Sequence, residues 1–515
     1  MSGLRERLLR HKKPAGGGPE PGAEPAAAAR EDSAAAAPAA DAEWAQLGAH
    51  MEQGEHGAFV MRRRVYDSAA RHGRYALGEL IGQSDQLHAL LAPPAAKKGA
   101  AAGRGSAAEP GRGMGGRQSD GRLPHDRLLY LDTETTGLGV GAGNVPFMIG
   151  IGFYERGQLV VEQMFIRHPG EELAMLHYLQ RKLEEHPVLV SYNGKSFDWP
   201  IIKNRYILNR MPSEPEIDGH LDFLYPSRSL WKHTLPSCRL GKVEEERLHV
   251  VREHDVPGSL APALYFQYLA ERDVSIVQGI FEHNELDILS LAGLSIHFAG
   301  TLNGQSRIEE MELEELYRLG LWLDKLDRGE LAARALELLE QRLAGGMESE
   351  AAAGYMLPLA QVYKQQRRFA DACRLWTLYT ERKGERSVVS LEPFIELSMH
   401  YEHREKQLGR ALHYAEWALQ HARQRQSLRR SYGLDGVRRH GGHVEAAADE
   451  TKARQHEEIA ALEKRAERLR RKLQQSDSAQ AANRARSTAA GRRSSAATGK
   501  KRAKPDVQYV MDQLI

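Results

Sequence analysis

Cysteine is nearly absent from this 515-residue chain, which contains only Cys238 and Cys373. Two thiols are too few for a disulfide scaffold or for a zinc site built from several cysteines, and they favour a reducing, cytoplasmic setting. The chain also has no run of about 18 consecutive apolar residues, and its basic start lacks the apolar core of a signal peptide. We therefore expect neither a membrane span nor secretion.

The chain also lacks a strong excess of positive or negative charge. The 71 Lys and Arg residues nearly balance the 69 Asp and Glu residues, so the formal net charge is only +2. The molecule as a whole therefore has no large field that draws it to nucleic acid or membranes, and any such attraction must be local.

Large apolar residues are scarce in two segments near the start of the chain. Residues 1–43 are rich in Ala, Gly and Pro and are predicted to be a disordered tether, while residues 93–124 are predicted to be a flexible basic linker. Between them, residues 44–92 have a mixed composition and a strand-like run at 58–66. We expect this intervening segment to be an appendage to the domain that follows.

Residues 125–300 alternate short apolar runs with longer amphipathic ones. Four apolar runs predict strands, at 128–134, 146–155, 158–166 and 188–192. Four longer runs predict helices, at 172–183, 199–210, 265–269 and 285–299. Three neighbouring strands followed by a strand that alternates with helices predict an α/β domain, with a mixed sheet and helices on its faces.

Residues 308–423 read as helices with an internal repeat of roughly 40 residues. Three sets of anchors recur at similar offsets: Leu323, Ala332 and Leu336; Tyr363, Ala372 and Trp376; Tyr401, Ala411 and Tyr414. The small Ala is placed where two packed helices approach closely. We expect a solenoid of helical hairpins that resembles tetratricopeptide repeats and offers a surface for a partner protein.

The last segment, residues 424–515, contains one charged helix candidate at 457–473. Beyond Gln475 the composition is Ala, Ser, Arg and Lys, which predicts a disordered basic tail. Two roles are open for this tail: it contacts nucleic-acid phosphates without sequence preference, or it only solvates the protein.

Two carboxylates, Asp132 and Glu134, lie at the end of the predicted strand at 128–134. Residues two apart in a strand point to the same face, so these side chains are neighbours and repel each other. A divalent cation neutralises such a pair, and hard oxygen ligands suit Mg²⁺ or Mn²⁺. A solvated acidic strand end with a turn at Gly137 is the alternative explanation.

A second polar group, Asn193 to Asp198, follows the predicted strand at 188–192 and precedes the helix at 199–210. Open α/β sheets bind ligands at the carboxyl ends of their strands. Asp198 is explained equally well as a metal ligand or as the N-cap of the following helix.

A third group, His283 and Asp287, comes just before the apolar stripe of the last helix of the domain. Residues four apart share one face of a helix, so the pair presents an acid and a titratable base to the same place. The alternative is a helix start with solvated polar residues.

Together these groups resemble the motifs of the DEDD family of 3′-to-5′ exonucleases, within the ribonuclease H-like superfamily. The stretch LDTETTGL is similar to the first motif, NGKSFD has the form of the second, and His283 to Asp287 falls at the third. In finer detail, residues 44 to 300 resemble a bacterial branch of ribonuclease H-like proteins, the YprB type. The segments LDFLYPSRSLW, HDVPG and YFQYL are further points of similarity.

The resemblance implies a ribonuclease H-like fold and a metal-dependent 3′-to-5′ exonuclease that acts on DNA or RNA. It also implies the roles of individual residues: two Mg²⁺ or Mn²⁺ ions on Asp132, Glu134, Asp198 and Asp287, a catalytic part for Glu134, and substrate contact by Asn193. His283 is implied to position or deprotonate the attacking water. It precedes Asp287 by four residues, the spacing of family members that have Tyr there, whereas histidine-type members place their His five residues before the Asp.

Two other functions remain open at this point. In one, the domain is catalytically inactive and binds nucleic acid or acts as a scaffold together with the helical repeats. In the other it is a ribonuclease H-type endonuclease, which is disfavoured because such enzymes do not place their first acids as Asp-x-Glu on one strand. Retention of all four acids favours an exonuclease.

Overall fold

The computed structural model describes residues 42–91, 122–137, 143–213, 215–253, 255–345, 350–386, 388–431 and 443–497. The predicted tether at 1–43 and the predicted linker at 93–124 lie almost entirely outside these ranges.

Within these ranges, seven strands form one mixed sheet in the order β1-β2-β7-β6-β5-β8-β9, and a separate hairpin contains β3 and β4. The strands are β1 (Ala49–Gly54), β2 (Gly57–Tyr66), β3 (Arg71–His72), β4 (Tyr75–Ala76), β5 (Leu128–Thr135), β6 (Pro146–Glu155), β7 (Gln158–Phe165), β8 (Val188–Ser191) and β9 (Gly219–Asp222). β5 pairs antiparallel with β6 on one side and parallel with β8 on the other. All four predicted strands of the α/β domain and its mixed sheet are confirmed, whereas β9 was not predicted.

The N-terminal strands extend this sheet. β2 pairs antiparallel with β7, with Val60 opposite Phe165, and β1 pairs antiparallel with β2. Trp44, just before β1, packs with its ring centroid 5.3 Å from that of Phe165. The strand predicted at 58–66 is confirmed, and it belongs to the same sheet as the α/β domain because its buried residues complete the core on β7.

Seven helices accompany the described part of the sheet: α1 (His88–Leu91), α2 (Glu172–Glu185), α3 (Asp198–Leu208), α4 (Leu224–Trp231), α5 (Leu240–Val243), α6 (Ala261–Glu271) and α7 (Gln278–Leu302). The four predicted helices correspond to α2, α3, α6 and α7. α7 begins at Gln278 rather than at the predicted residue 285, so His283 lies inside the helix.

α7 packs on the sheet at two glycines of β6. A Cβ atom on Gly150 would lie 2.0 Å from Asn284 Oδ1, and one on Gly152 would lie 2.5 Å from Ile288 Cγ2. Only residues without a side chain allow the helix to come this close to the strand. The glycines of PFMIGIGFYE therefore set the distance between the sheet and the helix that carries His283 and Asp287.

The helical region continues with α8 (Leu313–Lys325), α9 (Gly329–Ala344), α10 (Glu350–Gln365), α11 (Phe369–Lys383), α12 (Glu392–His403), α13 (Leu408–Ser431) and α14 (His443–Ala497). The predicted helical character of this region is confirmed. The repeat anchors Ala332, Ala372 and Ala411 are each at most 1% exposed, as expected where helices cross closely. Trp322 of α8 packs against Phe298 of α7, with 6.1 Å between ring centroids. The first helical hairpin, formed by α8 and α9, therefore shares a core with the α/β domain.

α14 differs from the prediction. It continues to Ala497, so residues 476–497 are helical where the composition predicted disorder. Its central part is held by Glu402 of α12, whose carboxylate contacts Arg465 (3.0 Å), Arg468 (2.8 Å) and Lys472 (2.9 Å). The basic residues from Lys500 to Lys504 lie outside the described residues. Within the described ranges, no helix has both the length and the apolar character needed to cross a membrane.

We predict that Gly152→Ala destabilises the protein by about 1–3 kcal/mol, because the new methyl group collides with Ile288 in a packed core. Gly143→Ala is the matched control, since no atom of the described residues lies within 4 Å of its added Cβ. Urea denaturation of the two variants measures the difference. Equal midpoints would show that α7 can move away from β6 at no cost.

Candidate active site

Four acidic side chains approach one another at the carboxyl end of β5. Asp132 and Glu134 are on β5 itself, Asp198 is the first residue of α3, and Asp287 lies in the third turn of α7. Glu134 is 8% exposed and Asp198 6% exposed. The structure thus brings together the four acids that the sequence places at a strand, a strand end and a late helix.

The electrostatics of these acids reflect burial and mutual repulsion. Burial, followed by the charges of Asp287 and Asp198, raises the pKa of Glu134 to about 8. Burial and the same two carboxylates, with Glu134, raise the pKa of Asp132 well above its usual range. Burial also raises the pKa of Asp198 to about 6, although a hydrogen bond from Thr133 Oγ1 (2.5 Å) opposes the shift. Ionising this cluster is costly unless a cation enters it.

Arg252 is a cation that already contacts the cluster. Its Nη2 atom pairs with Asp287 and with Glu244 (2.5 Å), and its Nη1 atom pairs with Asp255 (3.1 Å). Burial alone would lower the pKa of Arg252, but Asp287 and Glu244 outweigh it and raise that pKa. The guanidinium therefore stays charged and neutralises one side of the site, and Asp132, Glu134 and Asp198 have no Lys or Arg ion-pair partner within the described residues.

The remaining acids have the donor chemistry that a divalent ion requires. Carboxylate oxygens are the hard ligands preferred by Mg²⁺ and Mn²⁺, and buried like charges favour binding of a cation. As the side chains stand, no group of three His, Cys, Asp or Glu residues in the described ranges is arranged to hold a metal ion. The donor set fits a divalent cation, and side-chain rotation would have to complete the ligand geometry.

His283 is oriented by an acid that the sequence did not point to. Its Nδ1 atom lies 2.8 and 3.0 Å from the two carboxylate oxygens of Asp255. Its Nε2 atom lies 3.6 Å from Asp287 Oδ2 and 3.8 Å from Glu134 Oε1. Arg252 Nη1, which can only donate, is also 3.3 Å from this Nδ1 atom. Donation of the Nδ1 proton to the nearer Asp255 is the assignment that leaves the lone pair of Nε2 directed at the acids. Asp255 sits in an irregular segment without hydrophobic periodicity, and the resemblance of HDVPG was the only signal for it.

The loop between β8 and α3 is shaped by Asp222, another residue that sequence reasoning missed. The Asp222 carboxylate accepts hydrogen bonds from the backbone N–H groups of Asn193 (2.8 Å), Lys195 (3.1 Å) and Leu224 (3.1 Å). Asn193 has a left-handed backbone, with φ of 68°, and an exposed side chain. The structure therefore places Asn193 at the surface, in the loop that ends at Asp198.

Buried polar side chains link Asp132 to the N-terminal strand β2. Asn284 Nδ2 donates to Asp132 Oδ2 (2.9 Å), and Asn284 Oδ1 accepts from Gln163 Nε2 (2.9 Å). Gln163 Oε1 accepts from Arg62 Nη1 (2.9 Å), and Arg62 Nη2 pairs with Glu285 Oε2 (2.9 Å). Each member is less than 10% exposed except Asp132. A network satisfied in this way orients Asp132 and holds α7 in register with the sheet.

Comparison with known proteins adds two findings. Residues 129–299 match the model of a family described as RNase H superfamily. A protein of Bacillus subtilis (strain 168), described as uncharacterized protein YprB, is 36% identical over 301 residues, which cover 58% of this chain and 70% of the relative. The matched family range includes all four acids, Asp255 and His283, but not Arg62.

We predict that, with a chelator present, Glu134→Gln melts at a higher temperature than wild type by a margin that grows between pH 6.5 and 8. A carboxyl whose folded pKa is raised binds its proton more tightly in the folded state, so wild-type stability falls as pH rises from about 4.5 to about 8. The buried His72, His220 and His297 have lowered pKa values and titrate below that window. A constant margin across the window would contradict the raised pKa of Glu134.

Proposed function

Since the chain belongs to the family of Bacillus subtilis YprB and contains a domain of the RNase H superfamily, we propose that it is a metal-dependent 3′-to-5′ exonuclease. Its substrate is a 3′ end of DNA or RNA. One observation carries the proposal: four acids from β5, α3 and α7 meet at the carboxyl end of a central strand, where burial and the charges of Asp287 and Asp198 raise the pKa values of Asp132 and Glu134. Such an arrangement is unfavourable for folding and useful for holding cations.

Asp132, Glu134, Asp198 and Asp287 would hold the Mg²⁺ or Mn²⁺ ions, two in number. When bound, these ions supply Lewis-acid chemistry and neutralise charge on the scissile phosphate. Glu134 and Asp198 are buried, whereas Asp132 and Asp287 remain partly exposed, so the site is open to an ion and a substrate on that side.

The proposed general base is His283. Its Nε2 atom faces Glu134 and Asp287, where it accepts a proton from the attacking water. Asp255 holds the Nδ1–H group, which fixes the tautomer and stabilises the imidazolium after proton transfer. Arg252 keeps Asp287 in place by pairing with it and with Glu244.

Two further proposals concern the setting of the reaction. The helical repeats provide a surface for a protein partner, and a reducing cytoplasm suits a chain whose two cysteines, Cys238 and Cys373, are both free.

The competing function is binding without catalysis, and one contact favours it. Arg252 already neutralises Asp287, so a guanidinium stands where an active site needs its carboxylate free for a cation. If the domain binds without catalysis, it would hold nucleic acid or a partner protein while the helical repeats act as a scaffold. Activity measurements separate the two functions.

We predict that the purified protein, given Mg²⁺ or Mn²⁺, shortens 5′-end-labelled single-stranded DNA or RNA stepwise from the 3′ end and leaves a circular strand intact. Chelator and Asp132→Asn should each abolish the reaction, because both remove the cation from the site. Asp126→Asn, a change to an exposed acid outside the cluster, is the matched control. Cutting of the circle would mean an endonuclease, and inactivity of wild type with both ions would favour the binding function.

We predict that His283→Ala slows the reaction roughly 10²- to 10⁴-fold, the usual effect of a positioned general base. His283→Tyr should recover part of the rate. Asp255→Asn should slow the reaction by about 10- to 100-fold, because Asp255 acts through His283. Adding Asp255→Asn to His283→Ala should then slow the reaction little further than His283→Ala alone. Single-turnover rates of wild type, the two single variants and the double variant measure this coupling. Fully multiplicative losses would show that Asp255 acts independently of the imidazole.

A further inference from the structure

A cleft lies where the α/β domain meets the first helical hairpin, next to the loop that carries Asn193 and Asp198. Its walls come from that loop, from α4 and from α8. The lining includes the buried apolar residues Phe223 and Trp322 together with the exposed Lys195, Tyr225 and Lys325. The cleft therefore combines apolar surface with two cationic groups, and the helical region contributes one of them.

The two lysines differ from many others in the chain. Lys182, Lys242 and Lys364 each form an ion pair with a nearby Glu. Lys195 and Lys325 form none with any residue of the described ranges. The carboxylate of Asp222 also lines the cleft, but it accepts three backbone N–H groups and does not contact a lysine side chain. The charge that the cleft presents to a ligand is thus positive.

An aromatic ring is exposed beside these charges. Tyr225 is 51% exposed, and the Nζ atom of Lys195 lies 5.9 Å from the centroid of its ring. An exposed ring stacks on the face of a nucleobase, and a neighbouring lysine contacts the phosphate of the same strand. Base faces are available in this way only where the strand is unpaired. The combination matches single-stranded nucleic acid better than a duplex or an acidic peptide.

We propose that this cleft binds the single-stranded end of the nucleic acid, with a base on Tyr225 and backbone phosphates on Lys195 and Lys325. The inference rests on the proposed function for its substrate class. Lys195 is three residues before Asp198 in the loop between β8 and α3, so the cleft adjoins the loop that ends at one of the four acids. The first helical hairpin then contributes to the substrate site, because Lys325 is the last residue of α8. α8 shares its core with the α/β domain, which holds Lys325 beside the cleft.

The test measures binding without turnover. In an Asp132→Asn background with chelator, fluorescence anisotropy of a labelled single-stranded DNA or RNA oligonucleotide gives the dissociation constant across a salt series. We expect Tyr225→Ala to weaken binding roughly 10-fold, from lost stacking. Tyr225→Phe, which keeps the ring, should bind like the parent. Lys195→Ala and Lys325→Ala should each flatten the salt dependence by about 0.7 in the logarithmic slope.

Matched controls remove the same groups elsewhere. Lys464→Ala removes an exposed lysine of α14. Phe266→Ala removes an aromatic ring of α6 that is 54% exposed. Neither residue lines the cleft. Both should bind like the parent. Failure of the parent to bind either strand, or unchanged binding by Tyr225→Ala and both lysine variants, would overturn the inference. Because the assay needs no hydrolysis, weakened binding supports the cleft even if wild type proves inactive.

Discussion

The close packing of α7 against the sheet is the contact on which the candidate site depends. It requires the missing side chains of Gly150 and Gly152, because a methyl group at either position would collide with α7. This packing brings His283 and Asp287 to the end of β5, where Asp132 and Glu134 already lie. Asn284, on the same helix, donates to Asp132 and joins the network that reaches Arg62. A small shift of α7 would therefore change the distances from His283 and Asp287 to the other three acids.

Charge compensation in the site is uneven. Arg252 neutralises the side formed by Glu244, Asp255 and Asp287, and the imidazole of His283 lies between that side and Glu134. Asp132, Glu134 and Asp198 have no Lys or Arg ion-pair partner in the described part of the chain, and their raised pKa values express the cost of holding charge there. Protonation or a bound cation has to relieve it. The acids therefore lower the folding stability of the metal-free protein above neutral pH.

The regular elements could be predicted because their signals are local. Apolar runs at 146–155 and 188–192 and the anchors Ala332, Ala372 and Ala411 behave as their patterns indicate. The helix that extends to Ala497 was predicted to end near Gln475, because composition alone does not separate an exposed basic helix from a disordered segment. The short strand β9 was missed, since four residues after a polar loop carry too little periodicity.

The sequence alone determined the α/β order of elements and the helical character of residues 308–423, and it placed the set of four acids and His283 on the elements that carry them. Only the tertiary structure decided which distant side chains serve that set. Asp255 reaches His283 across 28 positions, Arg252 reaches Asp287 across 35, and Arg62 reaches Gln163 across 101. Such partners are chosen by burial: a polar group removed from water must be paired, and its partner can come from any segment that the fold brings within hydrogen-bond distance.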